Sequence, residues 1–165
     1  MDSVWKNEAM RVHFDVLNGN KNTDVLIIGG GIAGILCAYK LKNAGVDCML
    51  AEATEICNGI TKNTTAKITF GHGLIYNKMI KHFGEDTARL YANAQANAIK
   101  EYARLCGDLD CDYETQDNYV YSLIDHKKIE NEVTALTRIG MKAEFSDARN
   151  LSMVASIFSV LFTWK

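Results

Sequence analysis

The feature that most constrains the fold is a glycine-rich turn that directly follows a short apolar run. Residues 24–29 read DVLIIG, and residues 29–34 read GGGIAG. A continuous apolar run that ends in glycines is typical of a strand buried on both faces of a parallel sheet. Residues 32–43 then have apolar side chains near helical spacing, and DCMLAE at 47–52 predicts a second strand. Residues 24–52 therefore predict a strand–helix–strand unit with two parallel strands.

The glycine turn has the GxGxxG spacing of a dinucleotide-binding loop. Gly29 is expected to allow a tight turn, Gly31 to let the backbone approach a pyrophosphate, and Gly34 to let the helix pack close to the sheet. Ala33 lies in the same loop, at the positive end of the helix where the pyrophosphate is expected. Glu52 ends the second strand, where a carboxylate can accept hydrogen bonds from the ribose 2′- and 3′-hydroxyls. Because that carboxylate would repel a 2′-phosphate, an NADP-type ligand is disfavoured.

The rest of the chain predicts helices and short strands. Helices are predicted at 74–83, 85–106 and 125–139, and extended pieces at 67–70, 113–115, 120–123 and 141–145. The pieces at 113–115 and 120–123 are expected to pair as a short antiparallel hairpin. Asp125 is expected to cap the last helix.

Composition excludes several classes of function. The chain has 165 residues and a formal net charge of −2, which gives no long-range attraction to nucleic acid or anionic lipid. It contains no apolar stretch of about 18 residues and no leader of the basic-then-apolar kind, so we expect a cytoplasmic protein with no membrane span. The five cysteines form no CxxC and no Cys/His metal spacing, so we interpret them as reduced thiols and expect no metal site.

Longer stretches of the sequence resemble FAD-dependent oxidoreductases of the D-amino-acid oxidase/glycine oxidase (DAO) family. The stretches are TDVLIIGGGIAGILCAYKLKNAGVDCMLAEA, NTTAKITFGHGLIYNKMIKHFGEDTARLY and DYETQDNYVYSL. They are most similar to a bacterial subgroup whose members often end in a Rieske [2Fe–2S] domain, and the resemblance covers about residues 3–147. It implies an FAD held by the glycine loop and Glu52, with the loop that contains Thr64 and Thr65 beside the pyrophosphate and flavin. The alternative for these two threonines is a turn or a helix cap.

The resemblance implies oxidation of a small amine or amino acid by hydride transfer to the flavin. No residue of this chain is assigned as an acid, base or nucleophile. No histidine lies two residues after a cysteine, so no Rieske cluster is expected. Several residues keep both a site role and a packing or solvent role as alternatives: Lys62, Lys67, His72, Tyr113, Tyr119 and Tyr121.

We therefore expect an α/β fold in which a Rossmann-like FAD-binding βαβ unit is followed by helices and a short antiparallel hairpin, as a partial DAO-type fold. The expected divisions are an N-terminal extension at 1–23, the βαβ unit with its loop at 24–73, a helical and hairpin part at 74–147, and an atypical apolar tail at 148–165.

Family members are usually more than twice this length, and the likeness stops near Asp147. Residues 151–165 are either a buried strand or helix, or out-of-frame sequence at a premature end, and the second interpretation is favoured. The alternative functions are an inactive truncated product, a nucleotide-binding half that requires a separately encoded C-terminal half, or a small NAD-binding module.

Overall fold

A computed structural model describes residues 12–109, 111–122, 124–148 and 151–163. These residues belong to two compact units that divide between Thr65 and Ala66. The expected domain boundaries, among them the division after residue 73, stay a prediction.

The first unit is a strand–helix–strand element. Strand β1 (Val25–Ile28) is followed by helix α1 (Ile32–Asn43) and strand β2 (Cys48–Ala51). The strands pair in parallel, from Val25 opposite Cys48 to Ile28 opposite Ala51. The predicted order and the parallel pairing of the two strands are therefore confirmed.

The expectation that β1 is buried on both faces is wrong for the residues described. Val25 and Ile27 are half-buried, whereas Leu26 is 54% exposed and Ile28 is 85% exposed. Successive side chains of a strand point to opposite faces of its sheet. Helix α1 packs on the face that carries Ile27, since the position of a Cβ at Gly34 would lie 3.4 Å from the Ile27 Cγ2. Within residues 12–65 the opposite face stays exposed.

The second unit combines three helices with a four-stranded antiparallel sheet. Its elements are β3 (Lys67–Thr69), α2 (Tyr76–Phe83), α3 (Glu85–Gly107), β4 (Asp112–Ser122), α4 (His126–Arg138), β5 (Ala143–Ala148) and β6 (Leu151–Thr163). Strand β6 is central: β4 pairs along one edge, while β5 and β3 share the other. The three predicted helices are confirmed, and α3 includes Gly107, which was expected to follow its end.

The expected hairpin between 113–115 and 120–123 is wrong. Residues 113–115 and 120–122 lie in the single strand β4, whose pairing with β6 is irregular between Gln116 and Asn118. The two extended pieces were expected to pair with each other because one closely follows the other along the chain, whereas β4 pairs with the uncharged stretch near the end of the chain. Residues 151–163 form the strand β6 that pairs with β4, so this stretch is a strand over these residues. The favoured interpretation of the stretch as out-of-frame sequence at a premature end stays a prediction.

The core of the second unit is built around Tyr76. This residue is fully buried, its hydroxyl donates to the Phe70 carbonyl oxygen at 2.8 Å, and its ring lies 6.4 Å from that of Phe70 and 6.2 Å from that of Tyr91. Burial raises the pKa of the Tyr76 hydroxyl. The other buried members of this core are Ala88, Ala92, Ile99, Ala135, Leu136 and Ile139. Burying side chains of Leu, Ile or Phe size stabilises by about 1.5–3 kcal/mol each, so this cluster contributes to the unit's stability.

Two carboxylates cap helices in this unit. Asp125 accepts a hydrogen bond from the Lys128 backbone N–H at 3.1 Å, so the predicted cap of α4 is confirmed. Glu132 of α4 is only 2% exposed, and its carboxylate accepts from the backbone N–H groups of Tyr76 at 2.7 Å and Asn77 at 2.9 Å. These are orphan donors of the first turn of α2.

Among the described residues, no helix is long and apolar enough to cross a membrane.

Candidate functional site

The candidate site lies in the first unit, at the glycine turn that joins β1 to α1. Gly29 has φ +106°, a conformation that side chains strongly disfavour, and its N–H donates to the Ala51 carbonyl oxygen at 2.8 Å. A Cβ on Gly34 would lie 2.0 Å from the Gly29 carbonyl oxygen. The tight turn and the close approach of helix to strand therefore both require glycine.

Within the part of the chain that the structure describes, Gly31 has no comparable reason to be glycine. Its φ is −77°, which any residue adopts, and a Cβ there would meet only the Thr61 Oγ1, at an ordinary 3.4 Å. At Gly30, in contrast, a Cβ would lie 2.9 Å from Ile56 Cγ2 and 3.2 Å from Glu52 Cβ. Of the three glycines in the GxGxxG positions, Gly31 is thus the one that neither its own φ nor a close neighbour among the described residues requires to be glycine.

Glu52 is held against the glycine turn. Its Oε2 accepts the Gly30 backbone N–H at 2.7 Å, and its Oε1 accepts the Thr54 N–H at 3.0 Å and the Thr54 hydroxyl at 3.2 Å. The Gly30 N–H, followed by the Thr54 N–H, lowers the pKa of this exposed carboxyl below its usual 4.5. A carboxylate offers about four lone-pair sites, so Oε2 keeps capacity for another donor.

A threonine that the sequence analysis did not single out completes the turn. Thr61 begins a short 3₁₀ turn, Thr61–Asn63, and its Oγ1 accepts the Ile32 N–H at 3.1 Å, in the first turn of α1. The same loop is tied to the glycine turn by the Cys57 N–H, which donates to the Gly30 carbonyl oxygen at 2.8 Å. A lone hydroxyl residue in a loop gives no periodic or motif signal, so only the fold brings Thr61 to this place.

The other proposed contacts are less clearly placed. Thr64 follows the 3₁₀ turn and Thr65 comes next, both with exposed side chains, and Ala33 is exposed in the first turn of α1. The structure brings Glu52 and the glycines together, and it brings Thr61 to the helix start. The roles of Thr64, Thr65 and Ala33 in cofactor binding stay predictions.

Several alternatives fall in the second unit. Tyr113 packs against the core, which fits its packing role. Tyr119 and Tyr121 are 49% and 63% exposed, and the Tyr119 hydroxyl donates to Asp117 at 3.2 Å. Over the described ranges, no three His, Cys, Asp or Glu side chains form a group that could hold a metal ion.

Comparison with known proteins places the chain in a family. The family of FAD dependent oxidoreductases, DAO, matches residues 24–158. The chain belongs to this family. The match continues past Asp147 into β6, so the expectation that the likeness stops near Asp147 is wrong. The DAO family consists of FAD-dependent enzymes, which makes FAD the cofactor of this domain type and oxidation–reduction its general chemistry.

Two curated relatives are similar to this chain. One, from Bacillus subtilis (strain 168), is named as a Rieske 2Fe-2S iron-sulfur protein, YhfW; it is 38% identical over 147 residues, which is 87% of this chain and 29% of that protein. The other is the gamma-glutamylputrescine oxidoreductase of Escherichia coli (strain K12), 30% identical over 107 residues, which is 61% of this chain and 24% of that protein. The chain therefore spans less than a third of either relative. No solved structure matches it significantly.

Proposed function

We propose that the first unit binds the ADP half of FAD in a Rossmann-like manner, and that the chain is the N-terminal part of a flavin-dependent amine or amino-acid oxidoreductase. The observation that carries this proposal is the Glu52 carboxylate. It is ionised, exposed, and fixed at 2.7 Å from the Gly30 N–H, directly beside the glycine turn. Its remaining acceptor capacity suits a ribose hydroxyl, and its negative charge disfavours a 2′-phosphate.

The glycine turn fits a pyrophosphate. The positive end of α1 begins at the turn, and the space beside Gly31 is occupied only by the Thr61 hydroxyl at van der Waals distance. Because Gly31 has no Cβ, this space stays open beside the backbone, which suits the close approach of a phosphate. The N–H groups of the first helical turn then serve as donors to the phosphate oxygens.

Thr61 changes which groups at the start of α1 are available as donors to a phosphate. Because its Oγ1 already accepts the Ile32 N–H, that N–H is not directed at a ligand. The Thr61 hydroxyl proton is instead the donor at this point, and a phosphate oxygen is a suitable acceptor for it. Thr61 thus joins Glu52 in orienting the dinucleotide, and Thr64 and Thr65 follow it along the same loop.

When FAD is bound, its isoalloxazine ring supplies the hydride acceptor. The described residues of this unit bind and orient the nucleotide end and provide no acid or base for the substrate. An amine is the substrate class we propose, because one of the relatives is an oxidoreductase named for gamma-glutamylputrescine.

The test is calorimetric titration of FAD into the purified 165-residue chain, with size-exclusion chromatography of the same sample. We expect a Kd of about 1 μM or tighter. Glu52→Gln should weaken binding by about tenfold or more, because a neutral amide is a poorer acceptor and also a donor. Glu55→Gln, another exposed acidic position nearby in the loop, is the matched control and should bind as the parent does.

The outcomes separate the alternatives. Tighter binding of NADH than of FAD would contradict the proposal in favour of a small NAD-binding module. Equal FAD affinity for Glu52→Gln and Glu55→Gln in monodisperse samples would remove Glu52 from the site. Aggregation without FAD binding would contradict autonomous binding by this chain and favour a half that requires a second chain.

A further inference from the structure

Thr54 holds one oxygen of the Glu52 carboxylate with two donors. Its backbone N–H donates to Glu52 Oε1 at 3.0 Å, and its hydroxyl donates to the same oxygen at 3.2 Å. The other oxygen, Oε2, accepts the Gly30 backbone N–H at 2.7 Å. Although Glu52 is exposed, three donors from two segments of the chain therefore fix the orientation of its carboxylate.

These contacts make the two carboxylate oxygens inequivalent. A carboxylate offers about two lone-pair sites on each oxygen. The two donors of Thr54 occupy both sites of Oε1, whereas the Gly30 N–H occupies one site of Oε2. The remaining site of Glu52 therefore lies on the oxygen that is bonded to the glycine turn. This arrangement leaves room for one ribose hydroxyl on Oε2.

The contact between the Thr54 hydroxyl and Glu52 is not a consequence of burial. Both residues are exposed, so the hydroxyl and the carboxylate are accessible to water, and yet they are bonded to each other. An exposed glutamate otherwise samples several rotamers, and fixing one of them costs conformational entropy. Contacts that already exist in the free protein lower the part of this cost that falls on ligand binding.

We propose that Thr54 is a positioning residue for the ribose of the dinucleotide, an inference that rests on the proposed function. Thr54 acts through Glu52, because its two donors hold Oε1 and thereby keep Oε2 at the glycine turn. Oε2 then accepts a ribose hydroxyl without a rotation of the side chain. The observation that carries the inference is the pair of hydrogen bonds from one residue to a single carboxylate oxygen.

The same contacts keep the Glu52 carboxyl ionised. The largest cause of its lowered pKa is the Gly30 N–H, followed by the Thr54 N–H; after the opposing effect of desolvation come the Thr54 hydroxyl and the Ala53 N–H. Loss of the Thr54 hydroxyl should therefore raise this pKa toward the ordinary 4.5. Residues 29–34 of the glycine turn have no titratable side chain. The other titratable side chains of the loop 53–63 are Glu55, Cys57 and Lys62.

The first measurement is made on the full chain without FAD. The glutamate carboxyl carbons are isotopically labelled and titrated with acid by NMR, and the Glu52 signal is identified by its loss in Glu52→Gln. Thr54→Val removes the hydroxyl but keeps the backbone N–H and the shape of the side chain, so the Glu52 pKa should rise toward 4.5. Thr54→Ser keeps the hydroxyl and should keep the parent's pKa. An unchanged pKa in Thr54→Val would overturn the proposal, because the hydroxyl would then not hold the carboxylate.

The second measurement is calorimetric titration of FAD into the same variants. At neutral pH, Thr54→Val should bind FAD about three- to tenfold more weakly than the parent, because its carboxylate is less firmly oriented before binding. Its affinity should also begin to fall at a higher pH, since Glu52 is protonated earlier as the pH drops. Thr54→Ser should restore both properties. The matched control is Thr137→Val, which loses an exposed hydroxyl that donates to the Val133 carbonyl oxygen at 2.9 Å and should bind FAD as the parent does.

The outcomes separate this proposal from the function on which it rests. If the parent binds FAD and Thr54→Val binds it equally tightly, Thr54 does not position the ribose and the proposal is overturned. Weaker binding by Thr54→Val with an unmoved acid fall would indicate a general loss of loop structure, which would also overturn it. If the parent binds no FAD, the proposed function fails, and the ribose role of Thr54 fails with it whatever the Glu52 titration shows.

Discussion

Replacement of Glu132 tests how the second unit is held together. Its carboxylate reaches from α4 to the first turn of α2 and accepts two backbone N–H groups, at 2.7 and 2.9 Å, while only 2% exposed. In Glu132→Ala the Tyr76 N–H loses its acceptor in a buried environment, and the Asn77 N–H loses its acceptor in a partly buried one. The positive end of α2 also loses a compensating negative charge.

The magnitude follows from these contacts. A hydrogen bond to a charged group contributes about 1.5–3 kcal/mol, and two of them give about 3–6 kcal/mol. Part of this is offset, because burying a carboxylate costs several kcal/mol in the folded state. We therefore expect Glu132→Ala to lower the free energy of unfolding by about 2–4 kcal/mol. The total for a typical domain is about 5–15 kcal/mol. The melting temperature should fall by about 5–15 °C.

The assay is urea and thermal unfolding followed by circular dichroism. Glu132→Gln keeps one acceptor oxygen and should lose less stability than Glu132→Ala. Glu130→Gln, on the same helix, removes only an exposed ion pair with Lys127 at 2.9 Å, and should change the free energy of unfolding by less than about 0.5 kcal/mol. If Glu132→Ala is as mild as Glu130→Gln, the buried cap does not stabilise α2 and the reasoning is refuted.

Three further predictions concern the glycine turn and Glu52. Gly34→Ala should lose FAD binding and lower the melting temperature, because its Cβ would lie 2.0 Å from a backbone carbonyl oxygen. The control is Gly59→Ala, where the space is open; its FAD affinity and melting temperature should equal those of the parent in the same titration and melt. Gly31→Ala should melt like the parent but bind FAD at least about tenfold more weakly by calorimetry; equal affinity would remove this turn from the pyrophosphate. The backbone donors to Glu52 hold its pKa below 4.5, so FAD affinity should stay constant through mild acid and fall only as the pH drops through that lowered pKa. In Glu52→Gln, FAD affinity should not show this fall at low pH.

Elements governed by local signals could be predicted from the sequence. Helix α4 begins after Asp125, whose side chain caps it, and α2 ends at Phe83, directly before a glycine. The order of β1, α1 and β2 followed from an apolar run, a helical pattern and a second apolar run. Each of these signals lies within a few residues of the element it determines, so no knowledge of the rest of the fold was needed.

Elements governed by distant partners could not be predicted. Strand β6 has no charge pattern and no clear period, yet it pairs with β3, β4 and β5. A strand was only one of the alternatives for this stretch, and its pairing with β4 was not predicted, so the two pieces of β4 were paired with each other instead. The contact of Thr61 with Ile32 spans 29 positions and that of Glu132 with Tyr76 spans 56. A side chain that acts over such a separation leaves no local mark in the sequence.

The GxGxxG spacing itself mixes two kinds of requirement, and only the structure separates them. Gly29 and Gly34 are required by the chain alone: one has a positive φ, and the other faces a carbonyl oxygen 2.0 Å from where its Cβ would be. Gly31 has an ordinary φ and no such neighbour among the described residues, so their packing does not require glycine at that position. A structural turn would need only Gly29 and Gly34. Gly31 is therefore the residue of the motif that argues most directly for a ligand at the start of α1.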